Sequence, residues 1–531
     1  MKPYLILNLQ VAPATVGSDS LTLIWDKPIK YSVISYYYIY QNQKLVARRP
    51  VNKTHITLSG LKPDTNYQFE VLATDGEGNA FLESSARIEA STQMLGAVID
   101  VTAPPYSADG TGTRKATELL QKAIFECPEN GVILIPKEAK IVTGALDLKS
   151  NMTLQVDGKL IASLDPADYV IHETDKWFEG SVNQDGLPLS RYEGWELHCY
   201  RSLINVGFID PKNRTRVVCE NVRICGQGEI YGGGNVLGLA MREIYSDVDK
   251  YPEYYSDKRP GRRVRGRLIC MMQAKNVHLT GVTVSNPSCW TIHMIYCDTI
   301  TTHGITIQSK GIDNGDGWDP DSSKNMLIFD TTFDTGDDCI AIKSGKNPEG
   351  NKINIPTENV RIFDLEMLGG HGMAIGSEQS GGVDGVSLRD CRIHNTLYGL
   401  ELKAHNDRGG YIKNIHVEDC ELDRFMAHSV DYNADGQPAE SLPIFSNINL
   451  NNITISGKER GIELIGFTEG QRKAAYIQNV LIENVRLKFK ENDILLEKCQ
   501  DVAFKNVRLS DGNRPNYMID EDTVRRILIE G

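Results

Sequence analysis

Residues 311–345 carry Asp316, Asp319, Asp321, Asp330, Asp334, Asp337 and Asp338, interleaved with glycines and with the apolar runs Met326–Phe329 and Cys339–Ile342. Carboxylates this dense repel one another in a solvated loop. Here the apolar runs imply strands that hold them in place. Ordered carboxylates facing one cleft either bind a cation or exchange protons with a substrate. The stretch lacks the spacing of a calcium-binding EF-hand loop, which favours acid–base chemistry and no metal. Asp337 follows Asp316 by 21 residues, His371 lies 34 further on, and Lys403 a further 32. Such intervals put the four in one groove only if the chain returns to the same place once per interval.

A repeat from residue 219 onward supplies that return. A polar residue precedes an apolar–polar–apolar triplet at Asn221, Asn276 and Asp298, and the pattern recurs at Asn325, Asn359, Asn414, Asn447, Asn479 and Asp501. From Asn276 the gaps are 22, 27, 34, 55, 33, 32 and 22 residues, the longest spanning a degenerate member at Asp384-Gly385-Val386. Short strands at such periods make a stacked array in which each unit buries its neighbour's apolar side. No helix separates the strands, so a parallel β-helix is expected, with coils about 4.8 Å apart. Thr117–Phe125 has helical spacing and reads as the cap of its open end, the only helix expected in this domain; residues 165–218 read as long loops. Asp337 and Asp338 face opposite sides of a regular strand, so a turn or strand end is expected at 336–338.

Residues 1–92 read as a separate small β-domain. Leu61-Lys62-Pro63-Asp64-Thr65-Asn66-Tyr67 resembles the tyrosine corner of a fibronectin type III sandwich, with Trp25 as its core tryptophan. The whole chain has 531 residues and a net charge of −13, which excludes nucleic acid as a natural partner and requires local cations for any anionic ligand. Eleven scattered cysteines without a CxxC pair read as free thiols in a reducing compartment. The start MKPYLILNLQVAP has too short an apolar run for a signal peptide, so a cytoplasmic location is expected. No run of 18 apolar residues is present, so no membrane helix is expected.

Asn314-Gly315-Asp316-Gly317, Gly336-Asp337-Asp338, Gly370-His371-Gly372 and Leu402-Lys403 resemble the four signatures of the polygalacturonase family, glycoside hydrolase family 28. Asn221–Gly234, Ser288–His293 and Asp109-Gly110-Thr111 match it too, over roughly residues 96–515. The resemblance implies an all-β chain: a right-handed parallel β-helix over 96–531 behind the fibronectin-like sandwich, hydrolysing α-linked galacturonate with inversion and without metal or cofactor. It implies Asp337 as the acid, Asp316 and Asp338 as holders of the water, and His371 as the residue tuning the acid. Asn314 and Lys403 join the substrate site by the same resemblance. Crowding by two carboxylates is expected to raise the pKa of Asp337 and keep it protonated.

The fourth signature departs from the family's Arg-x-Lys, reading Glu401-Leu402-Lys403. Arg408 stands as the replacement cation, and rhamnogalacturonan or xylogalacturonan remain open as substrates. Gly376–Gly382, with Glu378, resembles exo-acting members, which together with the cytoplasmic expectation points to exo-cleavage of short pectic oligosaccharides. A calcium-dependent pectate lyase on a similar β-helix is the competing chemistry. Trp318 is either a core residue or a sugar-stacking platform, and we place it in substrate binding. The basic run Lys258–Arg267 is expected to form a cationic rim, and the tail from residue 513 to pack back on the solenoid.

Overall fold

The computed structural model describes residues 3–432, 434–468 and 474–531. The chain forms two units: residues up to Val98 together with Pro128–Val132, and Ile99–Cys127 together with Ile133–Gly531.

The first unit is a sandwich of two antiparallel sheets. One contains Leu7–Val11, Ser20–Asp26 and His55–Ser59, the other Lys44–Pro50, Tyr36–Gln41, Asn66–Thr74 and Ala86–Ser91. Alternating apolar residues of both sheets meet inside, with the Trp25 ring edge-on to Tyr37 at 5.3 Å. The Tyr67 hydroxyl oxygen accepts the Lys62 backbone N–H at 2.8 Å, which closes the tyrosine corner.

The second unit is a parallel β-helix. Among the described residues its strands stack into one sheet of twelve and another of twenty-one. The coil core is a column of like residues in register, Ile300, Met326, Val360, Val386, Ile415, Ile448, Val480 and Val502. The polar residue before each core position turns the corner in the left-handed region, with φ of 57° at Asn325, 54° at Asn359 and 58° at Asn447. Asparagine is among the few side chains that tolerate this conformation. Its amide also bonds the coil beneath: Asn359 Nδ2 donates to Asn325 Oδ1 at 2.7 Å, and Asn447 Nδ2 to Asn414 Oδ1 at 3.0 Å. At the degenerate member Gly385 takes the left-handed position (φ 75°), while Asp384 supplies the oxygen for Asn414 at 2.6 Å.

Helix Thr117–Glu126 sends Leu120, Ala123 and Ile124 into the core of the first coils. Its Gln121 side chain satisfies both the N–H and the C=O of Asp147. Three expectations need correction. Two further helices are present among the described residues: Gly234–Ile244, which begins at the end of a glycine run and buries Leu237 and Met241, and the short Glu349–Ile353. Within 165–218, Leu189–Tyr192 and Trp195–His198 form a hairpin, and Ile204–Gly207 is a strand of the twelve-strand sheet. The tail does not fold back; Tyr517–Ile519 and Arg525–Glu530 continue both sheets.

Candidate active site

The site lies on the twelve-strand sheet, over strands Ile292–Ile295, Trp318–Asp321, Asp338–Ile342, Gly372–Ile375, Leu400–Ala404 and Phe425–Ser429. Backbone bonds at the entry of these strands stack the signature residues. Thr291 N–H donates to Asp316 O at 2.8 Å, Gly317 N–H to Asp338 O at 2.9 Å, and His371 N–H to Asp337 O at 2.9 Å. Asp316, the Asp337-Asp338 pair and His371 thus occupy three successive coils, directly above one another. A bend at Gly336-Asp337 and a register shift between Asp338 and Ile340 let neighbouring aspartates share one side. A β-carbon at Gly336 would lie 2.5 Å from Ile312 O, so this close turn requires glycine. Gly370 (φ 87°) serves likewise, its missing side chain leaving room for Asp337 O, to which the His371 loop is tied.

Each carboxyl has its own environment. His371 Nδ1 stands 2.9 Å from Asp337 Oδ1 and 3.7 Å from Asp338 Oδ1. Lys403 Nζ lies 3.4 Å from Asp338 Oδ2, and Lys343 Nζ 3.8 Å from Asp316 Oδ2. Asn314 Nδ2 reaches Asp337 Oδ2 at 3.5 Å, its own oxygen held by Arg262 and Arg265 at 2.7 and 2.8 Å. Asp319 is fully buried, and among the described residues neither of its carboxylate oxygens has a hydrogen-bond partner.

The proton does not rest where crowding alone puts it. Burial pushes Asp337 up, but the His371 hydrogen bond and charge, Lys403 and the Asp338 N–H at 2.9 Å outweigh it, and its pKa is lowered. Burial and the charge of Asp337 raise Asp316 well above the ordinary carboxylate range; burial also raises Asp319 well above it and, opposed by Lys403, raises Asp338. The hydrogen bond to Asp337 raises His371. The expected raised pKa of Asp337 is therefore corrected: its pKa is lowered and that of His371 raised, so the two share a proton as a pair, while the buried Asp316, Asp319 and Asp338 are the carboxyls shifted upward. One ligand atom from each of Asp337, Asp338 and His371 fits within 4.8 Å, close enough for a cation. Lys343 and Lys403 already bring two ammonium charges to this carboxylate group.

The remaining expected site residues divide. Lys403 is buried between Asp338 and Glu401 Oε2, 3.0 Å away. Glu401 is shared with His428 at 2.8 Å, and His428 in turn meets Glu463 at 2.9 Å. These two carboxylates push the His428 pKa up to about 9 against its burial. Glu378 is buried beside Lys343 at 3.3 Å. Arg408 is also fully buried, donating to Ser377 O at 3.0 Å and Asn347 Oδ1 at 2.8 Å, so it does not replace the missing cation at the cleft surface. Trp318 is no stacking platform: it sits wholly inside the solenoid, in register with Ile340, its indole N–H on Thr302 Oγ1 at 3.1 Å. The cationic rim is corrected as well. Arg262, Arg263, Arg265 and Arg267 are buried, engaging Glu193, Asp435, Asp313, Asn314 and Tyr192.

Sequence reasoning passed over Lys343, and it placed Asp319 among the clustered acids without a role. Lys343 follows the strand Asp338–Ile342 and pairs with Asp321 through the backbone as a parallel β-bridge. Asp321 itself is committed to structure, through Arg191 at 2.7 Å and His293 at 3.4 Å.

Residues 4–91 match the fibronectin type III domain, and residues 213–521 match Glycosyl hydrolases family 28. An exo-poly-alpha-D-galacturonosidase of Dickeya chrysanthemi is 25% identical, covering 99% of this chain and 94% of that protein. The structure of a family 28 exopolygalacturonase from Yersinia enterocolitica superposes with a TM-score of 0.79 at 23% identity, over 99% of this chain and 98% of the other. A hyperthermoactive exopolygalacturonase from Thermotoga maritima gives 0.64 at 27% identity, over 79% and 93%. With the acidic ladder in place on its parallel coils, and the match extending over most of them, the chain belongs to glycosyl hydrolase family 28.

Proposed function

We propose that this glycoside hydrolase removes galacturonate units from the end of pectic oligosaccharides by hydrolysing α-galacturonosyl linkages with inversion. The observation that carries the reading is the stacking of Asp316, Asp337-Asp338 and His371 on three consecutive coils. The exo-acting relatives, two of which align over nearly the full chain, support cleavage from an end. Eleven free thiols support action in a reducing compartment.

An inverting glycosidase needs one group that gives a proton to the leaving oxygen and a carboxylate that takes one from water on the opposite face of the sugar. Asp337 is the most exposed carboxyl of the group, and its pair with His371 carries the proton to be given. The proton passes from His371 Nδ1 to Asp337 and on to the glycosidic oxygen as the C–O bond breaks. Asp338, partly compensated by Lys403, accepts the proton of the attacking water, and Asp316 orients that water. Water supplies the oxygen of the new anomeric hydroxyl, so no other reactant is consumed.

Glu401 favours a second substrate for the same machinery. Its carboxylate offsets Lys403 at 3.0 Å, which suits a sugar without a free carboxylate at that position, as in rhamnogalacturonan. Product identification by mass on defined oligosaccharides separates the readings. Saturated monogalacturonate released stepwise from tri- and tetragalacturonate, unaffected by chelator, is expected. Random cleavage of long polygalacturonate contradicts exo action, unsaturated chelator-sensitive products contradict hydrolysis, and turnover of rhamnogalacturonan oligomers alone favours the second substrate.

A further inference from the structure

Beside the acidic ladder, and separate from it, lies a cavity of about 460 Å³ between helix Gly234–Ile244 and the turn before Asp316. Arg242, Arg259 and Arg265 line it, together with the apolar Leu239 and Ile312 and with Gly336, the residue before Asp337. Three guanidinium groups face one carboxylate there. Arg259 pairs with Asp313 Oδ1, Arg265 Nη1 lies 3.4 Å from Asp313 Oδ2, and Arg242 Nη1 stands 4.0 Å from the same oxygen. The fourth arginine of the neighbourhood, Arg262, is matched by Asp257 at 2.7 Å.

The helix is fixed to the turn that forms the cavity. Asn235 Nδ2 donates to Gly311 O at 2.9 Å, and Asp313 N–H donates to Asn235 Oδ1 at 3.2 Å. Arg242 is held by its Nε, which donates to Pro260 O at 3.2 Å, leaving the guanidinium head turned towards Asp313. Three guanidinium groups share the one carboxylate of Asp313, a local surplus of positive charge by geometry; burial first, and then repulsion from Arg265, Arg259 and Arg262, lowers the Arg242 pKa. In a protein of net charge −13 such a surplus is a local feature that an anion can use. Apolar Leu239, about half exposed, gives the cavity a surface against which a sugar ring can lie. Its size falls in the usual range for small-ligand sites.

Resting on the reading of the substrate as a polyuronate, we propose that the cavity walled by Arg242, Arg259 and Arg265 is an accessory subsite that takes the carboxylate of a galacturonate unit farther along the chain than the pair at the scissile bond. Gly336 borders both the cavity and the Asp337 turn, so a bound chain passes directly from one to the other. The subsite adds affinity for longer oligomers and leaves the chemistry at the acidic ladder untouched.

Steady-state kinetics of Arg242→Gln on di-, tri-, tetra- and pentagalacturonate, at two ionic strengths, test this. We expect KM to rise about five- to tenfold on the longer oligomers, as for loss of one partly screened charge-assisted contact. KM on digalacturonate and kcat on every length stay at the wild-type values, and Arg242→Lys recovers most of the affinity. The wild type loses its preference for longer oligomers at high salt, and the variant has little to lose. Equal KM for variant and wild type on all lengths overturns the subsite while the wild type still degrades the series. A wild type inactive on the whole series overturns instead the reading of the substrate. Should Arg242→Gln not fold, Arg259→Gln, at a half-exposed position, carries the same comparison.

Discussion

Replacing Asp337 by Asn is expected to lower kcat on trigalacturonate by about 10²- to 10⁴-fold, the usual contribution of a positioned general acid. Dissociation constants measured on the inactive variant should stay within about threefold of the wild type, because the amide keeps the volume and the contact with Asn314. An aryl galacturonide with a good leaving group needs little protonation and should lose far less than the natural linkage. The wild-type pH profile carries a second signature of the pair. His371 is raised above its ordinary pKa by its bond to Asp337, so the shared proton is present below that raised value and lost as pH rises through it. Turnover should therefore fall on the alkaline side at a pH above about 6.5, and His371→Asn should shift or remove that limb. Equal losses on natural and activated substrates would place Asp337 outside proton delivery.

The second large effect is expected at Lys403. Its ammonium is buried between Asp338 and Glu401, and burial lowers its pKa less than Asp338, Tyr432 and Glu401 raise it. Lys403→Met leaves two buried carboxylates facing each other without the shared cation. Removing one partner of a buried charge cluster costs about 3–5 kcal/mol, seen as a lower thermal midpoint at neutral pH. The double variant Lys403→Met with Glu401→Gln should regain a large part of that loss, since one of the stranded charges is gone. Catalysis should fall in both, and by the same route. Without Lys403 the Asp338 pKa rises further, so the acid limb of kcat moves to higher pH and fewer molecules hold the ionised base at neutral pH. A thermal midpoint unchanged in the single variant would show that the cluster is solvated and that the lysine does not hold Asp338.

The solenoid could be read in the chain because each corner repeats one steric demand. An asparagine tolerates the left-handed bend and bonds its copy on the next coil, as Asn325 and Asn359 do. The vertical alignment of Asp316, Asp337 and His371 follows from that period. What escaped the sequence depends on partners chosen by three-dimensional contact. The Asp337 pKa is lowered because a histidine one coil later reaches its carboxyl, a contact that crowding arguments leave out. Trp318 lies between outward-facing signature residues, but its register partner Ile340 points inward, and strand parity sends the indole into the core. The run Lys258–Arg267 reads as a cationic rim; Glu193, Asp313 and Asp435, far apart in the chain, instead draw its arginines into buried ion pairs. Helix Gly234–Ile244 was hidden by the glycines at its start and at Gly238, where a β-carbon would lie 2.6 Å from Ser288 O and small size serves packing.

In the proposed reaction Asp337 gives a proton on one side of the sugar while Asp338 and Asp316 direct water from the other. Proton NMR of trigalacturonate during the first minutes of digestion tests this most directly, by reading the anomeric signal before mutarotation. A β-anomeric product appearing first, later relaxing to the α/β equilibrium, is expected. An α-anomer formed first would mean retention through a covalent intermediate and would contradict the division of roles among these three aspartates.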